Sequence, residues 1–418
     1  MYQRASHSLS TTRSPEAYDS KVAGKAPLLL FWETTKACGL RCRHCRADGR
    51  PAPAPGELSS AEALAFLDDV ARFERRPVLI MTGGDVMERP DLLELVTAAR
   101  AHGLPVALAP TVSPLLEPSR VASLGVRSVS ISLDGASAAT HDAVRGIDGH
   151  FERTLETIGW LAKGGISVQV NTAVMKANVH ELADIAALVV GSGARAWELF
   201  FLVQVGRGRH EEELGSDENE DVANFLWEAS AYGVNLRTVE GPWCRRVSAW
   251  RQKDALPSDH RLGSTYSFLS SRLVELLGPP TGWPRMATAG TRDGKGTLFV
   301  AHDGTVYPAG FLPIVLGNVR TSGIVELYRQ HPLLKAIRAG EFSGRCGTCE
   351  YKEPCGGSRS RAYAATGDPL GEDPACGYLP QSRSLGAGAP QVAVKTPQVA
   401  VKSGQVSTKT VTGPSLTS

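Results

Sequence analysis

Apolar and polar positions along the chain form two kinds of segment. From Pro27 to about Val205, short apolar or β-branched runs predict strands, and longer segments with apolar residues at helical spacing predict helices. The alternation predicts an α/β fold with a parallel sheet, either a partial or full (β/α) barrel or a doubly wound sheet. The predicted strands are Leu28–Thr34, Val78–Met81, Pro105–Ala109, Ser128–Leu133, Val168–Val174 and Trp197–Val203, and the predicted helices are Ser59–Phe73, Pro90–Ala101, Phe151–Lys163 and Val179–Gly191.

The rest of the chain divides into a poorly patterned connection and a second, smaller domain. Residues 206 to 290 contain an acidic stretch and a Pro- and Trp-rich connection, to which we assign no chemistry. Thr297–Ala301 and Thr305–Tyr307 flank an Asp-Gly turn and predict a β-hairpin. The predicted organisation is a disordered N-terminus (1–26), a core domain (27–235), a linker region (236–290), a small cysteine-rich α+β domain (291–380) and a disordered tail (381–418).

Composition excludes several classes of partner. The 45 basic and 43 acidic residues nearly balance, and no long basic run could follow a phosphate backbone, so nucleic acid is not expected. No stretch reaches the roughly 18 apolar residues that span a bilayer, and the N-terminus lacks the apolar core of a secretory signal. We therefore expect a cytoplasmic protein without membrane contact. In that compartment the eight cysteines would stay reduced, so close cysteine spacing indicates metal or redox chemistry.

Three cysteines lie close together directly after the first predicted strand, in the segment Cys38-Gly-Leu-Arg-Cys42-Arg-His-Cys45. A structural zinc site is closed by four ligands, whereas three thiolates on a four-iron, four-sulfur cluster leave one iron open to a substrate. This spacing, with an aromatic residue before the last cysteine, resembles the signature of the radical S-adenosylmethionine (SAM) enzymes. The resemblance implies that Cys38, Cys42 and Cys45 hold a cluster that cleaves SAM reductively, and that His44 lies beside the adenine.

Further matches to this family fall at or just after later predicted strands, where (β/α) barrels carry their chemistry. Thr82–Asp85 resembles the Gly-Gly-Glu turn that receives the methionine amino group, and Phe201–Gly208 resembles the exit of the sixth strand. The equivalents of Ser132 and Arg145 hold the carboxylate of SAM in related enzymes, and Asn171 resembles the residue that meets the ribose. The SAM-binding residues implied by the resemblance are His44, Thr82, Gly83, Gly84, Asp85, Ser132, Asp134, Arg145 and Asn171.

Four cysteines near the C-terminus have a spacing that suits a second metal site. Cys346, Cys349 and Cys355 lie close in sequence, and Cys376 follows after twenty more residues. Four thiolates close either a zinc site or a four-iron cluster, and the spacing does not decide between them. The segment Cys355–Arg359 resembles the SPASM domain of radical SAM enzymes that modify peptides and tetrapyrroles. That domain binds two auxiliary clusters, but its first half has no cysteine here and Arg359 replaces another ligand. The resemblance therefore implies one auxiliary four-iron cluster on these four cysteines.

The resemblance also implies an activity, namely hydrogen abstraction from an unactivated carbon by a 5'-deoxyadenosyl radical. The first expectation for the substrate is a ribosomally made peptide or protein, and the alternative is a side chain of a haem-type tetrapyrrole. The 26 residues before Pro27 are too few for a leader-binding domain, which weakens the expectation of a peptide without removing it, since a separate leader-peptide-binding protein can bind the leader. A reducing protein such as a flavodoxin or ferredoxin would supply the electron. A zinc-binding protein without catalysis is the remaining alternative, and it does not explain the cysteine loop together with the later matches.

Overall fold

A computed structural model describes residues 23–380 except 255, 258–259, 281, 285 and 287–289. The disorder predicted for residues 1–22 and 381–418 lies outside the described residues. Residues 23–26, which we expected to be disordered, are in contact with the rest of the fold. Ala23 and Ala26 are buried, and the Tyr328 hydroxyl donates a hydrogen bond of 2.6 Å to the Ala23 carbonyl. The hydrogen bond pairs a buried backbone carbonyl and so holds the segment in place. The pattern of side chains does not predict a contact made through the backbone.

The described strands form one ten-stranded sheet in the order β10-β9-β8-β1-β2-β3-β4-β5-β6-β7. Strands β1 to β8 pair in parallel with one another, whereas β9 pairs antiparallel with both β8 and β10. The sheet is not closed, so of the arrangements considered the partial barrel describes it. The strands are β1 (Leu29–Glu33), β2 (Val78–Thr82), β3 (Val106–Leu108), β4 (Ser128–Ser132), β5 (Ser167–Val174), β6 (Ala196–Phe201), β7 (Asn235–Val239), β8 (Thr297–Val300), β9 (Thr305–Tyr307) and β10 (Gly317–Asn318).

Helices cover one face of this sheet and form the main core with it. Alternate strand residues are fully buried on that face, as with Leu30 and Trp32 of β1, and the Trp32 ring meets Phe66 edge to face at 5.2 Å. The other face of the sheet stays half-exposed. The helices are α1 (Ser60–Val70), α2 (Leu92–Ala101), α3 (Pro118–Leu124), α4 (Ala138–Arg145), α5 (His150–Lys163), α6 (Leu182–Gly191), α7 (Ser216–Ala229), α8 (Cys244–Gln252), α9 (Ser264–Leu277), α10 (Ile324–Gln330), α11 (Pro332–Ala339), α12 (Gly344–Thr348) and α13 (Arg359–Thr366).

Residues 236–290, which we expected to form a linker region, carry most of β7 together with α8 and α9. β7 extends the parallel sheet, in register from Ala196 opposite Asn235 to Phe200 opposite Val239. Helix α9 is tied to α6 by the Arg272–Asp184 ion pair, with 2.7 Å between Nη2 and Oδ1. The segment is therefore part of the core architecture. The sequence pattern did not predict β7, because the strand has only five residues and its polar and apolar positions alternate.

The hairpin predicted in the C-terminal region is confirmed. β8 and β9 pair antiparallel, and Gly304 in the connecting turn has a φ of +81°, which favours glycine. β8 also pairs in parallel with β1, so the hairpin extends the core sheet. The segment after β9 then reaches the far side of the sheet, because the Phe311 ring lies 6.3 Å from Phe200 on β6. A contact between β6 and the segment that follows β9 requires the sheet to curl, because β6 and β9 are far apart in the strand order.

Candidate active site

The three-cysteine loop follows β1 and lies at the carboxyl ends of the parallel strands. Cys38 and Cys42 are nearly buried and pack with Leu40 and Cys45. Burial raises the pKa of the Cys38 thiol to about 11 and also raises that of Cys42. Among the described residues, no three His, Cys, Asp or Glu side chains converge on a single ion. Thiolates on a four-iron cluster bind different irons, so they stand farther apart than ligands of one ion.

The Thr82–Asp85 turn supports this loop through its backbone. The Gly84 and Asp85 amides donate to the carbonyls of Thr35 and Ala37, at 2.7 and 2.6 Å. A Cβ on Gly84 would lie 2.3 Å from the Ala37 carbonyl oxygen, so only glycine permits this approach. The family resemblance assigns Gly83 and Gly84 to SAM binding. The structure shows that they also let the turn after β2 pack against the segment after β1.

The resemblance implies that Asp85 receives the methionine amino group of SAM, and in the structure Asp85 also has partners of its own. It is fully buried, and its carboxylate accepts hydrogen bonds from the Met87 amide at 3.0 Å and the Ser113 hydroxyl at 2.7 Å. A longer bond of 3.4 Å joins it to the Thr111 amide. These contacts occupy both oxygens, so the side chain fixes the loops after β2 and β3. The shorter Asp side chain, compared with Glu, keeps the carboxylate beside its own turn.

The exit of β6 also supports the cysteine loop. The Arg207 amide donates to the Cys45 carbonyl at 3.0 Å, and Arg207 Nε donates to the Cys42 carbonyl at 2.9 Å. Gly206 has a φ of +62°, and a Cβ there would lie 2.4 Å from the Cys45 oxygen. The resemblance of Phe201–Gly208 to a family segment indicated this region, but it did not identify Arg207 as the residue that holds the loop.

Asp134, His44 and Arg145 form a buried charged group beside the cysteines. Asp134 Oδ2 lies 3.2 Å from Arg145 Nη1 and 3.6 Å from His44 Nε2, and Oδ1 accepts from the Ala173 amide at 2.8 Å. Burial alone would raise the pKa of Asp134, but His44, Arg145 and the hydrogen bonds outweigh it and hold that pKa below its usual value. Asp134 is therefore charged and orients both the Arg145 guanidinium and the His44 ring, whose own pKa is lowered by burial.

Two polar atoms of this group have no partner of their own. Arg145 Nε and His44 Nδ1 are buried and make no hydrogen bond within the described chain. Buried polar atoms without partners are rare in folded proteins, and they suit a ligand that brings hydrogen-bonding groups of its own. Ser132 and Asn171 stand opposite each other on β4 and β5, on the half-exposed face. The residues present therefore fit the carboxylate and ribose of SAM.

The four C-terminal cysteines come together in the fold. Cys346, Cys349, Cys355 and Cys376 line one cavity, along with the buried side chain of Arg246. Cys376 is distant in sequence, but the loop that carries it folds back beside α12. Cys244 lies apart from this lining, fully buried at the start of α8, and burial strongly raises the pKa of its thiol.

Sequence reasoning missed a second polar group at the ends of β1 and β8. The Glu33 carboxylate accepts from Arg46 Nη2 and from His302 Nδ1, both at 2.9 Å, although His302 is remote in sequence. Arg46 lies over the Phe299 ring at 4.4 Å. Glu33 is buried, and an acidic residue at the end of an apolar strand was the available signal.

Comparison with known proteins identifies the class. Residues 32–189 match the model of the radical SAM superfamily. The chain is 36% identical to the AdoMet-dependent heme synthase of Nitratidesulfovibrio vulgaris, over 84% of this chain and 93% of that protein. It is 37% identical to the AdoMet-dependent heme synthase of Methanosarcina barkeri, over 85% and 97%. The mycofactocin maturase MftC of Mycobacterium ulcerans is 31% identical, over 88% and 90%.

Solved structures agree on the fold. The crystal structure of Streptococcus suis SuiB bound to the precursor peptide SuiA has a TM-score of 0.62 with 12% identity, over 85% of this chain and 76% of that one. The chain belongs to the radical SAM superfamily, and it is an enzyme whose cofactors are a four-iron, four-sulfur cluster and SAM. No helix in the described ranges is long and apolar enough to cross a membrane.

Proposed function

We propose that this enzyme oxidatively modifies a side chain of a haem-type tetrapyrrole. The observation that carries the proposal is the similarity to two AdoMet-dependent heme synthases, at 36% and 37% identity over most of both chains. A tetrapyrrole was the alternative to our first expectation, a peptide, and the order of the two is now reversed.

The proposed radical site consists of Cys38, Cys42 and Cys45 as cluster ligands. The bound cluster supplies the electron that cleaves SAM to a 5'-deoxyadenosyl radical. Arg145 offers its free Nε to the SAM carboxylate, and His44 is held beside it by Asp134. Ser132 and Asn171 complete the set on the half-exposed face of β4 and β5, and Thr82, Gly83 and Gly84 form the supporting turn. Asp85 fixes that turn and is the proposed acid for the methionine amino group.

The half-exposed face of the sheet suits a flat, anionic substrate. Phe200 and Phe311 place two half-buried rings 6.3 Å apart on this face, and Arg46 lies over the buried Phe299 ring beside the same loop, next to Gly310. Aromatic side chains stack on planar ligands, and a guanidinium pairs with a carboxylate through two hydrogen bonds. A porphyrin that carries propionates presents both features, whereas an extended peptide does not require them.

The C-terminal cysteines complete the proposal as ligands of an auxiliary four-iron cluster. Four thiolates in one cavity can close such a cluster, whose chemistry is electron transfer. We propose that residues 27–290 form the core region and residues 291–380 the auxiliary region. A flavodoxin or ferredoxin in the cytoplasm is the proposed source of electrons.

The decisive experiment is an anaerobic assay of the reconstituted protein with SAM, dithionite and a propionate-bearing iron porphyrin. We expect the porphyrin mass to change and one molecule of 5'-deoxyadenosine to form for each side chain that is modified. The Cys38/Cys42/Cys45→Ala variant should form neither product. Cleavage of SAM without any change in the porphyrin mass would contradict the tetrapyrrole substrate while leaving the radical chemistry intact.

A peptide remains the second candidate because of the similarity to mycofactocin maturase MftC, at 31% identity over 88% of this chain. The same assay with a precursor peptide, in the presence and absence of a separate leader-binding protein, distinguishes the two. A mass change in the peptide that depends on Cys38, Cys42 and Cys45 would favour this candidate.

A further inference from the structure

Arg359 is fully buried beside the C-terminal cysteines. Its partners among the described residues are carbonyl oxygens, an aromatic ring and a sulfur. Nη1 donates to the Gly371 carbonyl at 2.6 Å, the guanidinium lies over the Phe342 ring at 4.4 Å, and Nη2 lies 3.6 Å from Cys346 Sγ. A buried guanidinium is costly unless an anion balances its charge, so this environment requires a negative group close by.

Two other arginines near this cavity differ in this respect. Arg246 forms an ion pair with Glu220, and Arg345 Nε lies 3.3 Å from Glu372 Oε1. Their charges are balanced by carboxylates. The group that Arg359 meets is the sulfur of Cys346, which becomes anionic once it ligates iron.

The glycine that precedes Ser358 makes this contact possible. Gly357 has a φ of +65°, and a Cβ there would lie 2.5 Å from Arg359 Nη2 and 2.9 Å from Cys346 Sγ. The Asp373 amide approaches the same sulfur from another side, at 3.4 Å. The segment Cys355–Arg359 therefore provides one cysteine ligand and, four residues later, a cationic donor to a second cysteine.

We propose that Arg359 is a positioning residue that raises the reduction potential of the auxiliary cluster by donating to Cys346 Sγ. The inference rests on the auxiliary cluster proposed above and is independent of the substrate. Reduction adds negative charge to the cluster and its sulfurs, and a cationic hydrogen-bond donor stabilises that added charge. The auxiliary cluster is thereby a better electron acceptor than its four thiolates alone would make it.

The test is an EPR-monitored redox titration in the Cys38/Cys42/Cys45→Ala background, where the auxiliary cluster is the one expected to remain. We expect the midpoint potential to fall in Arg359→Gln and to fall less in Arg359→Lys, which keeps the charge. Gly357→Ala should also lower it, because the added Cβ displaces the guanidinium. Arg338→Gln is the matched control, since Arg338 is half-buried in the same region and bonds the Tyr328 and Arg329 carbonyls. It should leave the potential unchanged.

Three outcomes would overturn the proposal. The first is an unchanged potential in Arg359→Gln with full iron content. The second is loss of iron from Arg359→Lys with an unaltered far-UV spectrum, which would assign the arginine to cluster retention. The third is zinc in place of iron in the Cys38/Cys42/Cys45→Ala protein. That result would remove the auxiliary cluster from the proposal, but the porphyrin assay would still test the proposed substrate.

Discussion

At the scale of single residues, Asp134 both orients the proposed SAM-binding side chains and stabilises the fold. Its carboxylate is 1% exposed and holds Arg145, His44 and the Ala173 amide together. The sequence resemblance identified Asp134 only as part of a SAM-binding segment. The contacts show that it acts even before SAM binds.

Asp134→Asn should destabilise the SAM-free protein by about 3 kcal/mol, because breaking a buried ion pair leaves the remaining charge without compensation. Urea unfolding of the metal-free protein would measure this change. Asp148→Asn, at an exposed position nearby, is the control and should change stability by less than about 0.5 kcal/mol. An Asp134→Asn protein as stable as the parent would show that the residue serves SAM alone.

At the scale of elements, the cysteine loop depends on the turn after β2. Gly84→Ala places a methyl group against the Ala37 carbonyl, and overpacking of this kind costs roughly 1–3 kcal/mol. We expect the variant to lose stability and to bind less iron on reconstitution. Gly39→Ala lies in the same loop with no atom within 4 Å of its added Cβ, so it should bind iron normally. Equal iron content in the two variants would contradict the packing argument.

Helices α4 and α5 meet through two buried histidines. The Asp134 amide donates to His141 Nδ1 at 3.0 Å, so the neutral ring carries its proton on Nε2. His141 Nε2 then donates to His150 Nδ1 at 2.9 Å, and His150 Nε2 donates to the Val112 carbonyl at 3.1 Å. This chain of bonds assigns the tautomer of both rings and requires both to be neutral.

Stability should therefore fall on mild acidification. Burial lowers the pKa of His141 and of His150 to about 4, below the unfolded value of about 6.5. The unfolded chain binds more protons between these values, so stability is complete above about pH 6.5 and declines towards pH 4. The loss is at most about 3 kcal/mol for each histidine. Urea unfolding of metal-free protein across this range should show a weaker pH dependence in His150→Gln, and an unaltered one in the control His180→Gln.

At the scale of the whole molecule, the C-terminal region is continuous with the core. β8 pairs with β1, and Arg361 of α13 donates to the Leu202 carbonyl after β6 and to the Glu240 carbonyl after β7, both at 2.8 Å. The β1–β8 pairing and the Arg361–Leu202 bond join residues 27–235 to residues 291–380. Two regions that share a sheet and buried hydrogen bonds lose their structure together.

We expect a single unfolding transition for the metal-free protein, with the same midpoint by far-UV circular dichroism and by tryptophan fluorescence. Arg361→Gln should lower that midpoint for both probes, because it leaves buried carbonyls unpaired. Arg153→Gln, on the exposed side of α5, should not. Two separate transitions would instead support independent domains.

Much of the fold and part of the site could be predicted from local sequence. The first six strands were placed to within two residues at each end because each buried strand is a short apolar run between turns. Helices α3 and α4 were missed, since seven or eight residues hold too few apolar positions to show a period. The pairing of Glu33 with His302 was not predicted, because the two residues are 269 positions apart in the sequence.

The sequence alone determined the cysteine spacings, the βα alternation and hence the class of enzyme, because ligand spacing and strand patterning are local properties of the chain. Tertiary structure decided the rest. It joined the C-terminal hairpin to β1, gave Asp85 and Asp134 their partners, and brought Arg359 to the sulfur of Cys346. These contacts depend on which distant segments approach one another, and that is fixed by packing of the whole core.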